Sequence, residues 1–304
     1  MTDPDSGGEH RAPVPGRADL RSPRAILRHH GLRPKKRLGQ HFLVDGHQLE
    51  RIVAAAALRP TDVVLEIGPG IGVLTDALAV GAGRVVAVEV DAAMRRVLGS
   101  TMRGHDNVEI VAADFLTTAP EALIGRPADP PGRLEGYKVV ANLPYQITSA
   151  ALRHVLSARV RPELAVVMVQ HEVAERILAA PGQMSVLAVA VQFYAHPQLV
   201  SWVPAAAFYP RPAVDSAVLR LDVHEVPPVD APDVELFFRV VRAGFGQKRK
   251  QLRNSLSSGL GLRPPAGEAV LRSAGIDPHR RAQTLDLAEW AALARAVAAA
   301  GATA

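Results

Sequence analysis

Along the middle of the chain, short runs of apolar residues alternate with stretches of helical periodicity, a pattern that leaves few folds open. The first unit is a strand at Val63–Ile67, a glycine-rich turn, and a helix that begins near Val73. Strands that alternate with helices form a parallel sheet covered by helices on both faces. The sequence therefore predicts an α/β fold with a Rossmann-like sheet, whose further strands lie at residues 84–89, 108–112, 138–141 and 164–170.

The chain changes character towards its carboxyl end. Residues 184–193 fit a helix or a strand equally well, whereas residues 199–203 and 217–223 are typical of a closing pair of strands. Beyond the proline-rich residues 226–232, the periodicity is helical only. We therefore predict a small all-helical second domain, and we divide the chain into a disordered tail at 1–22, an α/β domain at 23–225 and a helical domain at 226–304.

The composition excludes several kinds of protein. The chain contains no cysteine, which removes disulfides, thiolate zinc sites and cysteine nucleophiles, and we predict no metal centre. The amino terminus lacks the apolar segment of a signal peptide, and no apolar run is long enough to span a membrane. We expect a monomeric protein of the cytoplasm that does not bind membranes.

Basic residues are concentrated in two segments of a chain whose formal net charge is +5. Every lysine except Lys138 lies in one of them. Two solvated helix faces would explain the segments, but charges of one sign repel each other, so we favour contact with the phosphates of a polyanion. The residues predicted to make this contact are Arg24, Lys35, Lys36 and Arg37 in the first segment and Lys248, Arg249, Lys250 and Arg253 in the second.

The turn after the first strand contains Gly68, Gly70 and Gly72, and a helix follows it. Glycines let a ligand approach the backbone, and the unpaired N–H groups of the helix start can bind that ligand. A dinucleotide-binding turn looks similar, but its fingerprint is Gly-x-Gly-x-x-Gly. Glu66 also precedes the first glycine, where a carboxylate disfavours a phosphate. We therefore favour a nucleoside cofactor over NAD.

Two more acidic residues follow the next two strands. Glu89 ends the second strand, 21 residues after Gly68, and can accept hydrogen bonds from both hydroxyls of a ribose, although NAD enzymes use the same device. Asp114 follows the third strand and can accept a hydrogen bond from the exocyclic amine of an adenine. Each acid alone would also fit a solvated strand end or a helix cap. Together with the glycine turn, they predict a ligand site at the carboxyl edge of the sheet.

The segment Asn142-Leu143-Pro144-Tyr145 directly follows the predicted strand at 138–141. The Asn142 side-chain oxygen and the Leu143 carbonyl are suited to accept hydrogen bonds from the two N–H groups of a base amine. Such acceptors would turn the lone pair of a planar amine towards an electrophilic methyl group. Pro144 stiffens the turn, and Tyr145 can stack on the base. The alternative is a plain turn at the end of a strand, because Asn and Pro are common turn residues.

On these motifs the chain resembles the KsgA/RsmA family of small-subunit rRNA adenine N6,N6-dimethyltransferases, from about residue 38 to residue 290. Residues 38–43 are similar to the family's entry motif, which implies that His41 and the backbone of Leu43 contact the cofactor. His41 stands where family members usually have Asn. Residues 208–216 match a further motif, which implies that Phe208 lies against the flipped target base, opposite Tyr145.

Two similarities near the carboxyl end complete the resemblance. Residues 245–254 are similar to the family's basic helix that contacts RNA. Residues 281–285 are similar to its Arg-Ala-Glu-Thr-Leu signature, with Gln in place of Glu, and favour the small-subunit enzymes over the macrolide-resistance enzymes. The resemblance implies a class I methyltransferase sheet, S-adenosylmethionine as cofactor and 16S rRNA of the small ribosomal subunit as partner.

The resemblance also assigns roles to residues and leaves rival functions. It implies catalytic roles for Asn142, Leu143, Pro144, Tyr145 and Phe208, and contact with the cofactor for His41, Leu43, Glu66, Gly68, Gly70, Glu89, Asp114 and Asn142. The expected substrate is a pair of adjacent adenosines in a hairpin near the 3′ end of small-subunit rRNA. The rivals are methylation of large-subunit rRNA, an assembly or transcription factor without activity, and methylation of a protein or small molecule.

Overall fold

The computed structural model describes residues 22–35, 38–125, 132–231, 233–247 and 249–301. Residues 1–21 of the predicted tail, and Lys36, Arg37 and Lys248 of the basic segments, lie outside the described residues. The helices are α1 (Pro23–His29), α2 (Gly46–Ala56), α3 (Val73–Gly81), α4 (Ala92–Thr101), α5 (Pro120–Leu123), α6 (Thr148–Leu156), α7 (His171–Ile177), α8 (Val186–Tyr194), α9 (Val234–Phe245), α10 (Leu252–Leu260), α11 (Pro264–Ser273) and α12 (Leu287–Ala299). The strands are β1 (Phe42–Leu43), β2 (Val63–Ile67), β3 (Arg84–Val88), β4 (Val108–Val111), β5 (Gly132–Asn142), β6 (Val160–Gln170), β7 (Ala195–Val203), β8 (Phe208–Tyr209) and β9 (Ser216–Val223).

Seven of the described strands form the central sheet, in the order β4-β3-β2-β5-β6-β9-β7. The first five are parallel, β9 is antiparallel to β6, and β7 is antiparallel to β9, so the sheet is mixed and only β9 runs against the others. The predicted α/β sheet is therefore confirmed, together with its closing strand pair. The two strands outside this sheet, β1 and β8, pair with each other and join the segment before α2 to the segment before β9.

Successive residues of the central strands are buried on opposite faces of the sheet. Leu65 and Val139 belong to a core shared with α6 and α7, whereas Val64 and Val140 belong to a core shared with α2 and α3. Because side chains alternate along a strand, a strand that is covered on both faces has a continuous apolar sequence. This explains the uninterrupted apolar runs from which the strands were predicted.

The helices after β9 have a core of their own around Trp290, which is fully buried. This core also contains Met184, Ala188 and Phe193 from the α8 region, upstream of the predicted boundary at 226–232. The helices therefore pack directly on the α/β part through α8. The division into domains stays a prediction.

The second basic segment is only partly helical. Helix α9 ends at Phe245 and α10 begins at Leu252, and the described residues between them, 246, 247 and 249–251, are not helical. Glycines let these two helices pack closely: a Cβ on Gly259 would lie 2.6 Å from Ala243 of α9. Because the chain must reverse between two helices in contact, Arg249 and Lys250 lie in the connection, whereas Arg253 lies in the first turn of α10. Among the described residues, no helix has the length and apolar character needed to cross a membrane.

Candidate active site

A cavity of about 330 Å³ opens at the carboxyl edge of the sheet, beyond the ends of β2, β3 and β5. Residues 38–43, here called the passing segment, and the loop Asn142-Leu143-Pro144-Tyr145 both line it. It lies in the usual size range of small-molecule sites, about 300–1,000 Å³. Eleven of the predicted site residues line it, namely His41, Leu43, Glu66, Gly68, Gly70, Glu89, Asp114, Asn142, Leu143, Pro144 and Tyr145.

The glycine turn forms the floor of this cavity between β2 and α3. The Gly68 amide donates to the Val88 carbonyl at 3.0 Å, which joins the turn to β3. Gly70 has a φ of 59°, in the left-handed region, and a Cβ there would lie 2.8 Å from the Phe42 ring. A side chain at Gly70 would therefore be strained and would collide with the segment that passes along the cavity.

Two carboxylates lie close to this turn and are almost fully buried. Glu89 is 6% exposed, and its oxygens accept hydrogen bonds from the Gly70 amide at 3.1 Å and the Asp91 amide at 2.8 Å. Glu66 is 1% exposed, and its Oε2 has no hydrogen-bond partner among the described residues. Burial raises the pKa of Glu89 above its usual value, and burial together with the nearby Glu89 raises the pKa of Glu66 to about 8.

The electrostatics of the cavity favour a cationic ligand over a phosphate. Glu66, Glu89 and Asp114 line it, and none of its described lining residues is Lys or Arg. A buried carboxylate without a partner is unfavourable unless it is protonated or paired with a positive group. One oxygen of Asp114 already caps a short 3₁₀ turn by accepting from the Leu116 amide at 2.9 Å. The predicted preference for a nucleoside cofactor over a dinucleotide agrees with this charge pattern.

The raised pKa of Glu66 leads to a test of the protein without ligand. A folded-state pKa above the unfolded value means that the native fold binds the proton more tightly, so the contribution of Glu66 to stability is fully present below the unfolded pKa and is lost as pH rises through about 8. We expect the free energy of unfolding to fall by roughly 2 kcal/mol between about pH 6.5 and pH 8, and Glu66→Gln to remove this decline. Urea denaturation of both proteins across this range measures it. Parallel pH curves for parent and variant would contradict the assignment.

The loop Asn142-Leu143-Pro144-Tyr145 is held in place on both sides. The Asn142 Nδ2 donates to the His41 carbonyl at 3.0 Å, which fixes the orientation of the amide. Between described residues, no hydrogen bond engages its Oδ1. The Leu143 amide donates to the Met168 carbonyl of β6 at 3.2 Å. An acceptor oxygen is thus held at the end of β5, beside the cavity.

Aromatic and ring contacts complete this side of the cavity. The Tyr145 ring stacks on the His41 ring, with centroids 5.6 Å apart, and its hydroxyl lies 2.7 Å from the Ser216 hydroxyl. Burial raises the pKa of Tyr145, so this hydroxyl stays protonated at neutral pH. His41 Nδ1 lies 2.7 Å from the Pro210 carbonyl, which it therefore approaches as a donor. The His41 ring thus forms a hydrogen bond within the protein, which the sequence alone did not indicate.

Phe208 is buried beside the candidate active site. Its side chain is 4% exposed and packs into the core with Leu43, its partner in the β1–β8 pair. The same apolar cluster contains Val203 and Val218. Phe208 does not line the cavity. Stacking of Phe208 on a flipped base, opposite Tyr145, stays a prediction.

The predicted RNA-binding residues fall into two groups. Arg24, Arg249 and Lys250 are exposed, with the Arg24 guanidinium 6.0 Å from the centre of the Tyr209 ring. Lys35 and Arg253 are instead paired with carboxylates. Lys35 Nζ lies 2.8 Å from Asp91, and Arg253 Nη1 lies 3.3 Å from Glu268. Contact with RNA stays a prediction for all of them.

The sequence did not indicate which residues connect the passing segment to Glu89. Asp91 accepts from Lys35 and from Gln40 Nε2 at 3.2 Å, while its own amide donates to Glu89. Gln40 Oε1 in turn accepts from the Lys35 amide at 2.8 Å. The position of Asp91, two residues after Glu89, is the only local signal of this role. Among the described residues, no group of His, Asp and Glu is arranged to hold a metal ion.

The comparison with protein families decides what kind of enzyme has this site. A family model for ribosomal RNA adenine dimethylase matches residues 31–297, nearly the whole described chain. The chain therefore belongs to the ribosomal RNA adenine dimethylase family. This membership confirms the resemblance found in the sequence, and with it a methyltransferase that dimethylates adenines of ribosomal RNA.

Individual members of the ribosomal RNA adenine dimethylase family are similar over most of their length. The chain is 47% identical over 259 residues to ribosomal RNA small subunit methyltransferase A of Dehalococcoides mccartyi, covering 85% of this chain and 87% of the relative. A dimethyladenosine transferase structure from Plasmodium falciparum aligns with a TM-score of 0.72 and 25% identity over 86% of this chain and 98% of that one. The structure of the 23S rRNA methyltransferase ErmE aligns with a TM-score of 0.65 and 31% identity over 84% and 99%. The class I methyltransferase fold is therefore confirmed.

Proposed function

We propose that this chain dimethylates the N6 amines of two adjacent adenosines in a hairpin near the 3′ end of small-subunit rRNA, with S-adenosylmethionine as methyl donor. The identity of 47% to a small-subunit methyltransferase, against 31% to ErmE, supports the choice of subunit. The observation that carries the chemistry is the juxtaposition of a cavity with buried carboxylates and the acceptor atoms of Asn142 and Leu143. A monomeric state and a cytoplasmic location stay part of this proposal.

The cavity fits S-adenosylmethionine by charge. The unpartnered Oε2 of Glu66 and the absence of Lys and Arg from the described lining suit a ligand that carries positive charge and no phosphate. Glu89 is held by two backbone amides and keeps lone pairs for the hydroxyls of a ribose. When bound, S-adenosylmethionine supplies an electrophilic methyl group on a sulfonium.

The residues of the chain contribute position and electrostatics rather than covalent chemistry. Asn142 Oδ1 and the Leu143 carbonyl accept from the two N–H groups of the target amine, and this pulls the amine away from conjugation with the ring. Tyr145 offers one ring face to the base, since the other lies on His41. Preorganised acceptors of this kind need no rearrangement during the reaction. The monomethylated amine keeps one N–H, which the same acceptors can hold for the second transfer.

The role of Glu89 can be tested by binding alone. We expect Glu89→Gln to weaken binding of S-adenosylmethionine by about tenfold to hundredfold, because charge-assisted hydrogen bonds are worth about 1.5–3 kcal/mol each. Titration calorimetry with the cofactor measures this without RNA. Glu109→Gln, an exposed glutamate paired with Arg84, is the matched control and should bind like the parent. Equal affinities for Glu89→Gln and the parent would refute the role.

The proposed substrate is tested by mapping. Undermethylated small ribosomal subunits and undermethylated large subunits are incubated separately with the protein and labelled S-adenosylmethionine, and primer extension then locates the modified bases. We expect two adjacent dimethyladenosines near the 3′ end of the small-subunit rRNA. Modification of the large-subunit rRNA instead would establish the rival target. No transfer to either RNA by protein that binds the cofactor would favour an assembly factor.

A further inference from the structure

An exposed indole lies at the same edge of the sheet as the candidate active site. Trp202, near the end of β7, is 43% exposed, and its ring stacks on that of His171 with centroids 4.2 Å apart and planes inclined by 28°. The chain has two tryptophans, and the other, Trp290, is fully buried. Val214, 46% exposed, lies close by, because the carbonyl of its neighbour Asp215 accepts from the His171 amide.

The strand register connects this pair to the candidate active site. Trp202 adjoins Val203, and His171 adjoins Gln170; both Val203 and Gln170 pair with Ser216. The Ser216 hydroxyl lies 2.7 Å from that of Tyr145. Strands β5, β6, β9 and β7 are neighbours, and a strand spacing of about 4.8 Å puts Trp202 roughly 15 Å from the end of β5. This distance is the rise of about four stacked nucleotides.

The pair of Trp202 and His171 is better suited to bind the flat face of a base than to bind a phosphate. His171 covers one face of the indole, so the exposed part includes the other face. Glu175 lies 3.5 Å from His171 Nδ1, and Glu172 is exposed on the same helix. These carboxylates repel phosphates, whereas an aromatic face binds any unpaired base by stacking. A base flipped out for reaction leaves unpaired neighbours that need such a surface.

We propose that Trp202, supported by His171, is a stacking platform for an unpaired nucleobase of the RNA substrate, beside the adenosine that reacts. The proposal rests on the proposed function, since it takes the RNA to lie over Asn142-Leu143-Pro144-Tyr145. It adds a contact that lies outside both basic segments and outside the methyl-transfer site. The edge position of β7 leaves this surface open to a strand of RNA on its outer side.

Tryptophan fluorescence tests the platform directly. The protein is titrated with a protein-free, unmethylated RNA hairpin that carries two adjacent adenosines, and acrylamide quenching is measured at saturation. We expect the RNA to protect Trp202, whereas Trp202→Phe, in which only Trp290 emits, should show no RNA-dependent change. Trp202→Ala should lower RNA affinity by about fivefold to hundredfold, and Trp202→Phe should retain most of it. Leu199→Ala, an exposed apolar residue of the same strand, should keep the parent's affinity.

Two results would overturn the platform. These are unchanged acrylamide quenching of the parent at saturation with the protein-free RNA, and parental RNA affinity in Trp202→Ala. If the first is found and intact small subunits nevertheless protect Trp202, the contact is with a ribosomal protein. Failure of the proposed function shows separately, as absence of methyl transfer by the parent protein while RNA still protects Trp202.

Discussion

Replacing Asn142 by alanine is expected to lower the rate of methyl transfer by at least about 10²–10³-fold, the usual effect of removing one preorganised polar group from a reacting centre. The amide is anchored to the His41 carbonyl, so its Oδ1 is a fixed acceptor beside the cavity. Without it, the planar amine keeps its lone pair in the ring. Because the acceptor acts on the amine, and the other predicted contacts with the donor remain, affinity for S-adenosylmethionine should stay within about tenfold.

Single-turnover transfer of labelled methyl groups to undermethylated small subunits measures the rate, and calorimetry measures cofactor affinity. Asn142→Asp keeps an acceptor oxygen but loses the Nδ2 bond to His41, so its rate should lie between those of the parent and Asn142→Ala. Gln198→Ala removes an exposed amide at the far end of β7 and should leave the rate unchanged. A rate of Asn142→Ala equal to that of Gln198→Ala would disprove the assigned role.

The sequence predicted those parts of the site whose residues lie close to the end of a strand along the chain. The glycine turn, the acids after successive strands and the loop at 142–145 each lie within a few residues of a strand end. Parallel strands bring their carboxyl ends to one edge, so positions along the chain determine a common site. The structure shows nine of these residues around one cavity, together with His41 and Leu43 of the passing segment.

The parts that were not predicted depend on contacts between distant segments. Lys35 pairs with Asp91 across 56 residues, so the first basic segment is partly used inside the protein. Phe208 is drawn into the core because β8 pairs with β1, a pairing of two-residue strands that leaves no periodic signal. The stack of Trp202 on His171 depends on the first residue of α7 lying against the end of the edge strand β7. None of these contacts follows from local spacing.

Residues 184–193 show why periodicity alone did not distinguish helix from strand. They fall largely in α8, which lies between the two parts of the molecule. Leu187 and Val191 face the core of the sheet, whereas Ala188, Val189 and Phe193 face the core of the carboxyl-terminal helices. A helix buried on both sides is apolar all round, so it has no polar face from which its period could be read.

Lys138, the one lysine outside the basic segments, is expected to be the most costly lysine to replace. It is 3% exposed, its Nζ lies 2.7 Å from Asp62, and Asp62 is fully buried. Burial tends to raise the pKa of Asp62, but hydrogen bonds from Lys138 and Arg59 hold it below the usual value. Lys138→Ala leaves this carboxylate short of its partner, which costs about 3–5 kcal/mol of unfolding free energy.

The urea midpoint, with its slope unchanged, measures this loss. Lys35→Ala is the comparison variant, because its ammonium is 37% exposed and Asp91 keeps hydrogen bonds from Gln40 Nε2 and the Ala93 amide, so we expect a smaller loss. Because the folded pKa of Asp62 is lowered, its contribution is present above the unfolded pKa and is lost as pH falls. The gap between the parent and Lys138→Ala should therefore narrow below about pH 4. A gap that is constant with pH, or no larger than that of Lys35→Ala, would show that lost packing around the side chain, and not the buried ion pair, explains the position of this lysine.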